Sequence, residues 1–597
     1  MFLRPQRWQV APLVPSGHVA RFPHLHPIAV QVLYNRGITD PVAAAAFLQG
    51  KGSEDRGTNP FALKGMTPAV TRLRQALRAG EPIAVYGDFD ADGVTATALL
   101  VQTLRALGGE VYAYIPHRVD EGYGLNEEAL TQLARDRIRL VVTVDCGIRA
   151  LDEVAYANQA GLDVIITDHH SVGADLPEAV AVIDPKRPDN EYPFSELAGV
   201  GVAFKLAQAL LRSHRQTPVT RDQVRLEERD LLDLVALGTV ADLVPLIDEN
   251  RTLVHWGLER INRMERPGVE ALCRQAGRKP GQVDASAIGY SLGPRLNAAG
   301  RIDHAQIAYQ LLMTQYPGEA AQLAEQLDRL NRERQQLTRQ TQEQARQLAL
   351  STADESPLLF AAAPDFAAGI VGLVASRLVD EFYRPVIVVE IGQQVSRGSA
   401  RSIPEFHITH ALDECADLLI RYGGHAAAAG LTVANEHLDE LTARLKSLTS
   451  RQLAGAELIP TLSVDAEVEL SHMSWDLQRQ LAQLEPCGYA NPRPLFLSRN
   501  VCVRAQRAVG NEGKHLKLHL SDERGCVWDA IAFRRGEWAT KLPDRIDVVY
   551  HLEVNEWNDQ QRLQLNVQDF RGAKAETAAP LLRLERGDSQ TGEPDER

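Results

Sequence analysis

Three short apolar runs that end on acidic residues limit the fold of this 597-residue chain more than any other feature. Pro82–Tyr86 leads into Asp88-Phe-Asp90-Ala-Asp92-Gly93, Leu140–Val144 into Asp145, and Val164–Thr167 into Asp168-His169-His170. Each run is strand-sized and rich in β-branched residues, the pattern of a strand buried on both faces. Val111–Ile115 and Val180–Ile183 read the same way, while Thr67–Arg78, Val94–Leu107, Glu127–Arg135 and Leu151–Gln159 have helical spacing. Strands alternating with helices predict an α/β domain with a mostly parallel, doubly wound sheet. In such a sheet the ligand crevice lies beyond the carboxyl ends of the strands, so the three acidic clusters should converge.

Further along, Val200–Leu211, Arg229–Thr239 and Ala305–Leu312 read as helices, and the stretch from Gly318 to Leu350, with no Pro and no further Gly, as one extended connector helix. A second α/β segment follows, with strands at Leu358–Ala361, Pro385–Val389 and Val395–Ser399 and helices at Val371–Val379 and Ile408–Leu419. The Gly-Gly turn in Tyr422–Gly430 is expected to open a helix and offer backbone N–H groups to an anion. From Thr461 to about Phe570 the runs become short and alternating, as in Leu516–Leu520, Val527–Phe533, Val548–Val554 and Leu563–Val567, which predicts a small β-barrel or sandwich. The length itself implies roughly three to five domains.

The net charge of -14, from 64 Lys+Arg against 78 Asp+Glu, excludes a broadly basic DNA-coating protein. No apolar run approaches the roughly 18 residues of a membrane helix. Arg4, Pro5 and Arg7 interrupt any secretory signal, so a cytoplasmic location is expected. Six cysteines without a C-x-x-C pair exclude a zinc ribbon and are expected to be buried thiols.

If the run Asp88–Asp92 stays extended, its three carboxylates point to one side. Charges so close require raised pKa values or a cation, and a metal is the simpler solution. An EF-hand fails, because the twelfth position from Asp88 is Leu99. Carboxylates with one or two imidazoles suit Mn²⁺ or Mg²⁺, with Zn²⁺ and Fe²⁺ left open, and two such ions could clamp the attacking and leaving oxygens of a phosphoryl displacement. Asp242, following the helical stretch Leu231–Val240, is a further candidate. Gly199-Val-Gly201 fails as a dinucleotide fingerprint at Phe204.

DFDADG (88–93), VDCG (144–147), TDHH (167–170) and TVADLVPL (239–246), in that order, resemble the DHH phosphoesterases. GIVGLVASRLVDEFYRPVIVV (369–389), GSARS (398–402) and YGGHAAAAG (422–430) resemble the associated C-terminal domain, and the likeness runs from about Phe61 to Phe570. The resemblance, with the β-rich module, implies a lead segment (1–60), a doubly wound DHH catalytic domain (61–315), a connector helix (316–350), a DHH-associated C-terminal α/β domain (351–458), an OB-like single-strand-binding domain (459–572) and a flexible tail (573–597). It implies metal ligands at Asp88, Asp90, Asp92, Asp145, His169, His170 and Asp242, with Asp90, Asp145, His169 and His170 catalytic around two Mn²⁺ or Mg²⁺ ions. It further implies 5′→3′ hydrolysis of single-stranded DNA to 5′-mononucleotides in repair and recombination. Arg118, Arg301, Ser399 and Arg401 would recognise a 5′-phosphate, and His425 would face the substrate. A monomer is expected, with a DNA helicase and a single-strand-binding protein as partners. In the barrel, Lys514, Lys517, Arg534 and Arg535 interleave with Trp528, Phe533, Trp538 and Trp557, the composition of a single-strand platform.

Two other readings stay in play. Asp90-Ala-Asp92-Gly-Val after a strand resembles the nucleophile motif of haloacid-dehalogenase-type phosphatases, in which the Asp168 cluster has no role. A non-catalytic scaffold that binds single strands should have lost ligands, and this chain keeps them.

Overall fold

The computed structural model describes residues 5–50, 59–351, 356–557 and 560–573. The chain divides into two compact units, one of residues 52–459 with 488–490, the other of residues 1–51, 460–487 and 491–597.

The first unit begins with a five-stranded, all-parallel sheet in the order Val111–Tyr114, Ile83–Tyr86, Leu140–Val144, Asp163–Thr167, Ala181–Ile183. Each strand is followed by a helix or loop that crosses back over a face, as parallel pairing requires. The order reverses around Ile83–Tyr86, which places the topological switch between that strand and Leu140–Val144. Ile83–Tyr86 and Leu140–Val144 are buried at every position, so their near-continuous apolar sequences follow from cover on both faces. Helix Ala91–Ala106 is buried on nearly every side, because Gly199–Gln216 and Leu232–Ala241 pack over it in the same core.

The connector is a single helix, Pro317–Ser351. It leads to a mixed sheet in the order Leu419–His425, Ala428–Ala434, Val395–Arg401, Val386–Ile391, Leu359–Ala363, in which the last pair alone is parallel. Here the structure corrects the sequence. The helix expected over 408–419 stops at Asp413, and Tyr422–Gly430 opens no helix: it forms the two strands of a hairpin. The alanine run favours a helix locally, but backbone pairing of Ala428–Ala434 with strands on both sides overrides that preference.

The second unit is a barrel of five long strands. Phe496–Val509, His515–Ser521, Val527–Ala532, Gln560–Gly572 and Arg545–Trp557 follow one another, and Phe496–Val509 closes the ring by pairing with Arg545–Trp557 as well. Register shifts in Phe496–Val509 bend it enough to serve both neighbours. The lead segment is part of this unit rather than a separate piece. Arg7–Val10 pairs in parallel with Thr461–Val464, and helix Pro27–Asn35 buries Ile28, Val30, Val32 and Leu33 in the core that holds Leu477, Leu484 and Phe496.

Four cysteines are buried as expected, but Cys502 is half-buried and Cys526 exposed. Among the described residues no helix is long and apolar enough to cross a membrane. The tail expected at 573–597 lies outside the described residues except for Ala573.

Candidate active site

The acidic clusters meet at the switch point. Asp88 lies just beyond strand Ile83–Tyr86, and the chain then turns into a helix instead of staying extended. Asp90 is the N-cap of Ala91–Ala106, accepting the N–H groups of Asp92 (2.9 Å) and Gly93 (3.1 Å). Asp92 sits in the first helical turn and accepts the N–H groups of Gly199 (2.7 Å) and Val200 (2.9 Å), the N-terminus of the helix packed above. The three carboxylates therefore do not line one side of a strand.

Asp145 follows Leu140–Val144 with φ 63°, a left-handed conformation that Asp tolerates better than most residues and that re-aims its side chain. A Cβ on Gly199 would stand 2.6 Å from Asp145 Oδ1, so this approach of helix to carboxylate requires glycine. His169 Nε2 lies 3.1 Å from Asp145 Oδ1, 3.6 Å from Asp242 Oδ2 and 3.9 Å from Asp92 Oδ2. Asp242 gets there as the C-cap of Leu232–Ala241. Three overlapping groups result, each with its ligand atoms within 4.8 Å of one another: Asp88, Asp90 and Asp145; Asp145, His169 and His170; and Asp92, His169 and Asp242.

These residues fit divalent cations. Asp88 Oδ1, Asp145 Oδ1 and both ring nitrogens of His169 are buried and make no hydrogen bond; the 3.1 Å approach of Asp145 and His169 is contact without hydrogen-bond geometry. Burial, and then the neighbouring Asp90, push Asp88 up to about 8 and Asp92 up to about 7. Burial and Asp92 drive Asp145 and Asp242 well above the usual carboxylate range. Burial and then His170 lower His169 to about 3, leaving a neutral ring with a lone pair to donate. Oxygen donors from five carboxylates and nitrogen from two imidazoles suit Mn²⁺ or Mg²⁺.

Asp168 belongs to none of these groups. It accepts the N–H groups of Ile148 (2.9 Å), His169 (2.7 Å) and His170 (3.1 Å) and lies 2.7 Å from His170 Nδ1. Burial alone would raise Asp168, but the His170 bond and the positive ends of these donors hold it low. Asp168 thus orients His170, as carboxylates commonly orient metal-binding imidazoles.

A second cluster lies beside the first and carries the opposite sign. The Arg118 guanidinium sits 4.6 Å over the Phe89 ring. Arg301 donates to the Gly369 carbonyl (3.0 Å), and Arg401 to Ser399 Oγ (2.9 Å) and the Ala400 carbonyl (2.8 Å). Burial and then Arg118 lower both Arg301, to about 9, and Arg401; burial also lowers Arg118, which Asp88 and Asp90 oppose. Among the described residues none of the three forms a carboxylate ion pair. The first turn of helix Val371–Phe382 closes on them, since a Cβ on Gly372 would lie 3.0 Å from Ser399 Oγ and 3.1 Å from Arg401 Nη2. His425 ends strand Leu419–His425 and lines a cavity of about 570 Å³ together with His170 and Tyr123.

Family models described as DHH family, N-terminal domain, DHHA1 domain and RecJ OB domain match residues 82–239, 355–451 and 464–569. A curated relative from Bacillus subtilis, a single-stranded-DNA-specific exonuclease RecJ, is 39% identical over 550 residues, covering 92% of this chain and 68% of its own. The chain belongs to the RecJ family of DHH proteins. Two solved RecJ structures from Thermus thermophilus match it in fold. One, in complex with Mn²⁺, has TM-score 0.81 at 31% identity over 95% of this chain and 80% of that one. The other, in complex with Mg²⁺, has TM-score 0.75 at 30% identity over 95% and 79%.

Against that RecJ background, the structure brings the seven ligand candidates into one crevice, gathers Arg118, Arg301, Ser399 and Arg401 beside it, and sets His425 at the cavity wall with His170. Sequence reasoning missed three contributors. Tyr123, whose hydroxyl lies 3.1 Å from His170 Nδ1, was marked only by the glycines on either side of it. Asn297 accepts the Ala91 N–H (2.7 Å) and had no local signal. Gly199 was visible as a glycine motif but set aside with the dinucleotide fingerprint.

Proposed function

We propose that this chain is a metal-dependent exonuclease that removes 5′-mononucleotides from the 5′ end of single-stranded DNA, in DNA repair and recombination. One observation carries the reading: a cluster of half-buried arginines with no carboxylate ion pair among the described residues adjoins a cluster of buried and half-buried carboxylates, with Arg118 facing members of both. An anion held by the first places its neighbouring phosphodiester at the second.

Asp88, Asp90, Asp145 and His170 would hold one Mn²⁺ or Mg²⁺, and Asp92, Asp242 and His169 a second. Bound there, the ions would polarise the phosphodiester and offset the charge that develops during in-line displacement. Asp168 and Tyr123 keep His170 in position. Arg118, Arg301, Arg401 and Ser399 grip the 5′-phosphate; a terminal phosphate, with no chain beyond it, is the group that fits against side chains so enclosed. His425 faces the phosphate being cut. An aspartyl-phosphate route through Asp90 would leave Asp145, His169 and Asp242 without a role.

The barrel serves as the single-strand platform through a smaller surface than its composition suggests. Lys514 and Lys517 pair with Glu512 (2.9 Å) and Asp529 (3.2 Å), and Trp528 and Trp538 pack on the core, whereas Phe533 is exposed beside Arg534 and Arg535. A helicase that supplies single strands and a single-strand-binding protein are the partners that fit this activity. The test is the product of digestion with Mn²⁺: 5′-mononucleotides are expected, and nucleoside 3′-phosphates or oligonucleotides as the first products would refute the reading.

A further inference from the structure

The sheet face across from the metal crevice carries an ordered array. In the register of the three strands, Arg401, Ala428 and His425 share one rung; Ser399, Gly430 and Gly423 the next; and Arg397, Thr432 and Arg421 the third. Alternation along each strand puts all nine on the same face. The first rung holds the phosphate-pocket Arg401 and the substrate-facing His425. The third lies about 13 Å along the strands from it, at roughly 3.3 Å per residue.

Two features of this face have no explanation in the protein's own packing. Gly398 and Gly424 are needed: a Cβ would meet Val389 and Leu431 side chains at 3.0–3.1 Å in the first case and the Ala428 carbonyl at 2.2 Å in the second. Gly423 and Gly430, side by side in the middle rung, have ordinary strand φ and nothing within 4 Å of where a Cβ would stand. Glycine weakens a strand, so its presence twice in open space points to something outside the chain. The second feature is charge. Arg397 and Arg421, with Arg149 on the opposite wall, line the cavity that reaches His170 and Asp168, and all three are exposed. Arg397 donates to the Val119 carbonyl (3.2 Å) and Arg149 to the Ser171 carbonyl (2.8 Å), and among the described residues none of them pairs with a carboxylate. Among the described residues that line the cavity, Glu153 is the one acidic side chain besides Asp168, which is already engaged.

We propose that Arg149, Arg397 and Arg421 form a second phosphate subsite, which holds the internucleotide phosphate following the one that is cut, over a floor that Gly423 and Gly430 leave bare for the strand. The proposal rests on the exonuclease reading. It makes the enzyme sensitive to the length of the strand beyond the scissile bond.

The test compares kcat/KM, with Mn²⁺, on a 5′-phosphorylated dinucleotide and trinucleotide. The dinucleotide has a terminal and a scissile phosphate; the trinucleotide adds the next phosphate together with one nucleoside. The unmodified protein should favour the trinucleotide by at least about tenfold. In an Arg397→Ala/Arg421→Ala protein that ratio should collapse toward one, and the salt dependence of trinucleotide binding should lose about 0.7 in logarithmic slope for the lost phosphate contact. Gly430→Val should lower the same ratio while the melting temperature stays level or rises, because its side chain enters open space on a strand. Equal losses on both substrates, or an unchanged ratio, would overturn the subsite and move the arginines to the first nucleotide or out of the site. Failure of the unmodified protein to cut either strand would instead overturn the exonuclease reading.

Discussion

The acidic crevice and the arginine cluster beside it are built on the same principle with the sign reversed. In the crevice, burial and mutual repulsion raise Asp88, Asp92, Asp145 and Asp242. In the cluster, burial and mutual repulsion lower Arg301 and Arg401. Elsewhere in the same unit Arg266 is paired with Asp233 (2.6 Å), Arg295 with Asp328 (2.9 Å) and Lys205 with Glu249. At those positions the fold pairs its buried ions. Where ligands must enter, it leaves two clusters of opposite sign unpaired, one suited to cations and one to a phosphate.

That contrast can be broken most severely at Asp145. Asp145→Asn should cut Mn²⁺-dependent turnover by roughly 10³-fold or more, yet raise the melting temperature in EDTA at neutral pH, because folding no longer has to protonate that buried carboxylate. Single-turnover cleavage and a thermal scan check both, and a protein that is active, or destabilised without metal, argues against an unpaired acidic cluster. Gly199→Ala should be milder. Its Cβ displaces the Asp145 carboxylate, and calorimetric titration should show Mn²⁺ affinity down by about 10–100-fold. On the arginine side, Arg401→Ala should raise KM on 5′-phosphorylated strands by about tenfold and much less on 5′-hydroxyl strands; equal effects would take Arg401 out of the phosphate pocket.

The contrast also predicts a slope of stability with pH. Folded Asp88 and Asp92 hold protons up to about 8 and 7, whereas the unfolded chain releases them near 3.8. The folded state therefore binds more protons, and metal-free stability should fall as pH rises from about 6.5 to 8, by about 1.4 kcal/mol per pH unit for each such proton. Below 6.5 His169 acts the other way, since it is neutral when folded and takes a proton when unfolded. Denaturant midpoints with EDTA and with Mn²⁺ test this, and the slope should flatten when the metal is present.

The catalytic half was largely legible because its signals are local and repeated. Apolar strands that end on Asp88, Asp145 and Asp168 announce a parallel sheet and its crevice, and each strand was found within a residue or two of its place. Asp168 was legible as a member of the cluster but not as the residue that orients His170, since that depends on which backbone N–H groups reach it. The barrel unit was legible only in part. Helix Pro27–Asn35 finds its partner at Leu477 and Leu484, more than 400 residues away, and no local pattern carries that pairing. Removing residues from Thr461 onward should for the same reason expose Ile28, Val32 and Leu33 and cause aggregation. The hairpin at Tyr422–Gly430 was misread because alanine speaks for helix while the pairing on both sides of Ala428–Ala434 decides for strand. The net charge of -14 was also misleading when averaged over the chain: part of it is concentrated in the crevice, and the cations that answer phosphate stand beside it.

The direct test of the account is the order in which labels leave a single strand. With Mn²⁺ and a 5′-phosphorylated oligonucleotide labelled at either end, the 5′ label should appear at once as a mononucleotide and the 3′ label only after the strand has been consumed, with no release in EDTA. Early release of the 3′ label, internal fragments, or release that persists without metal would contradict it.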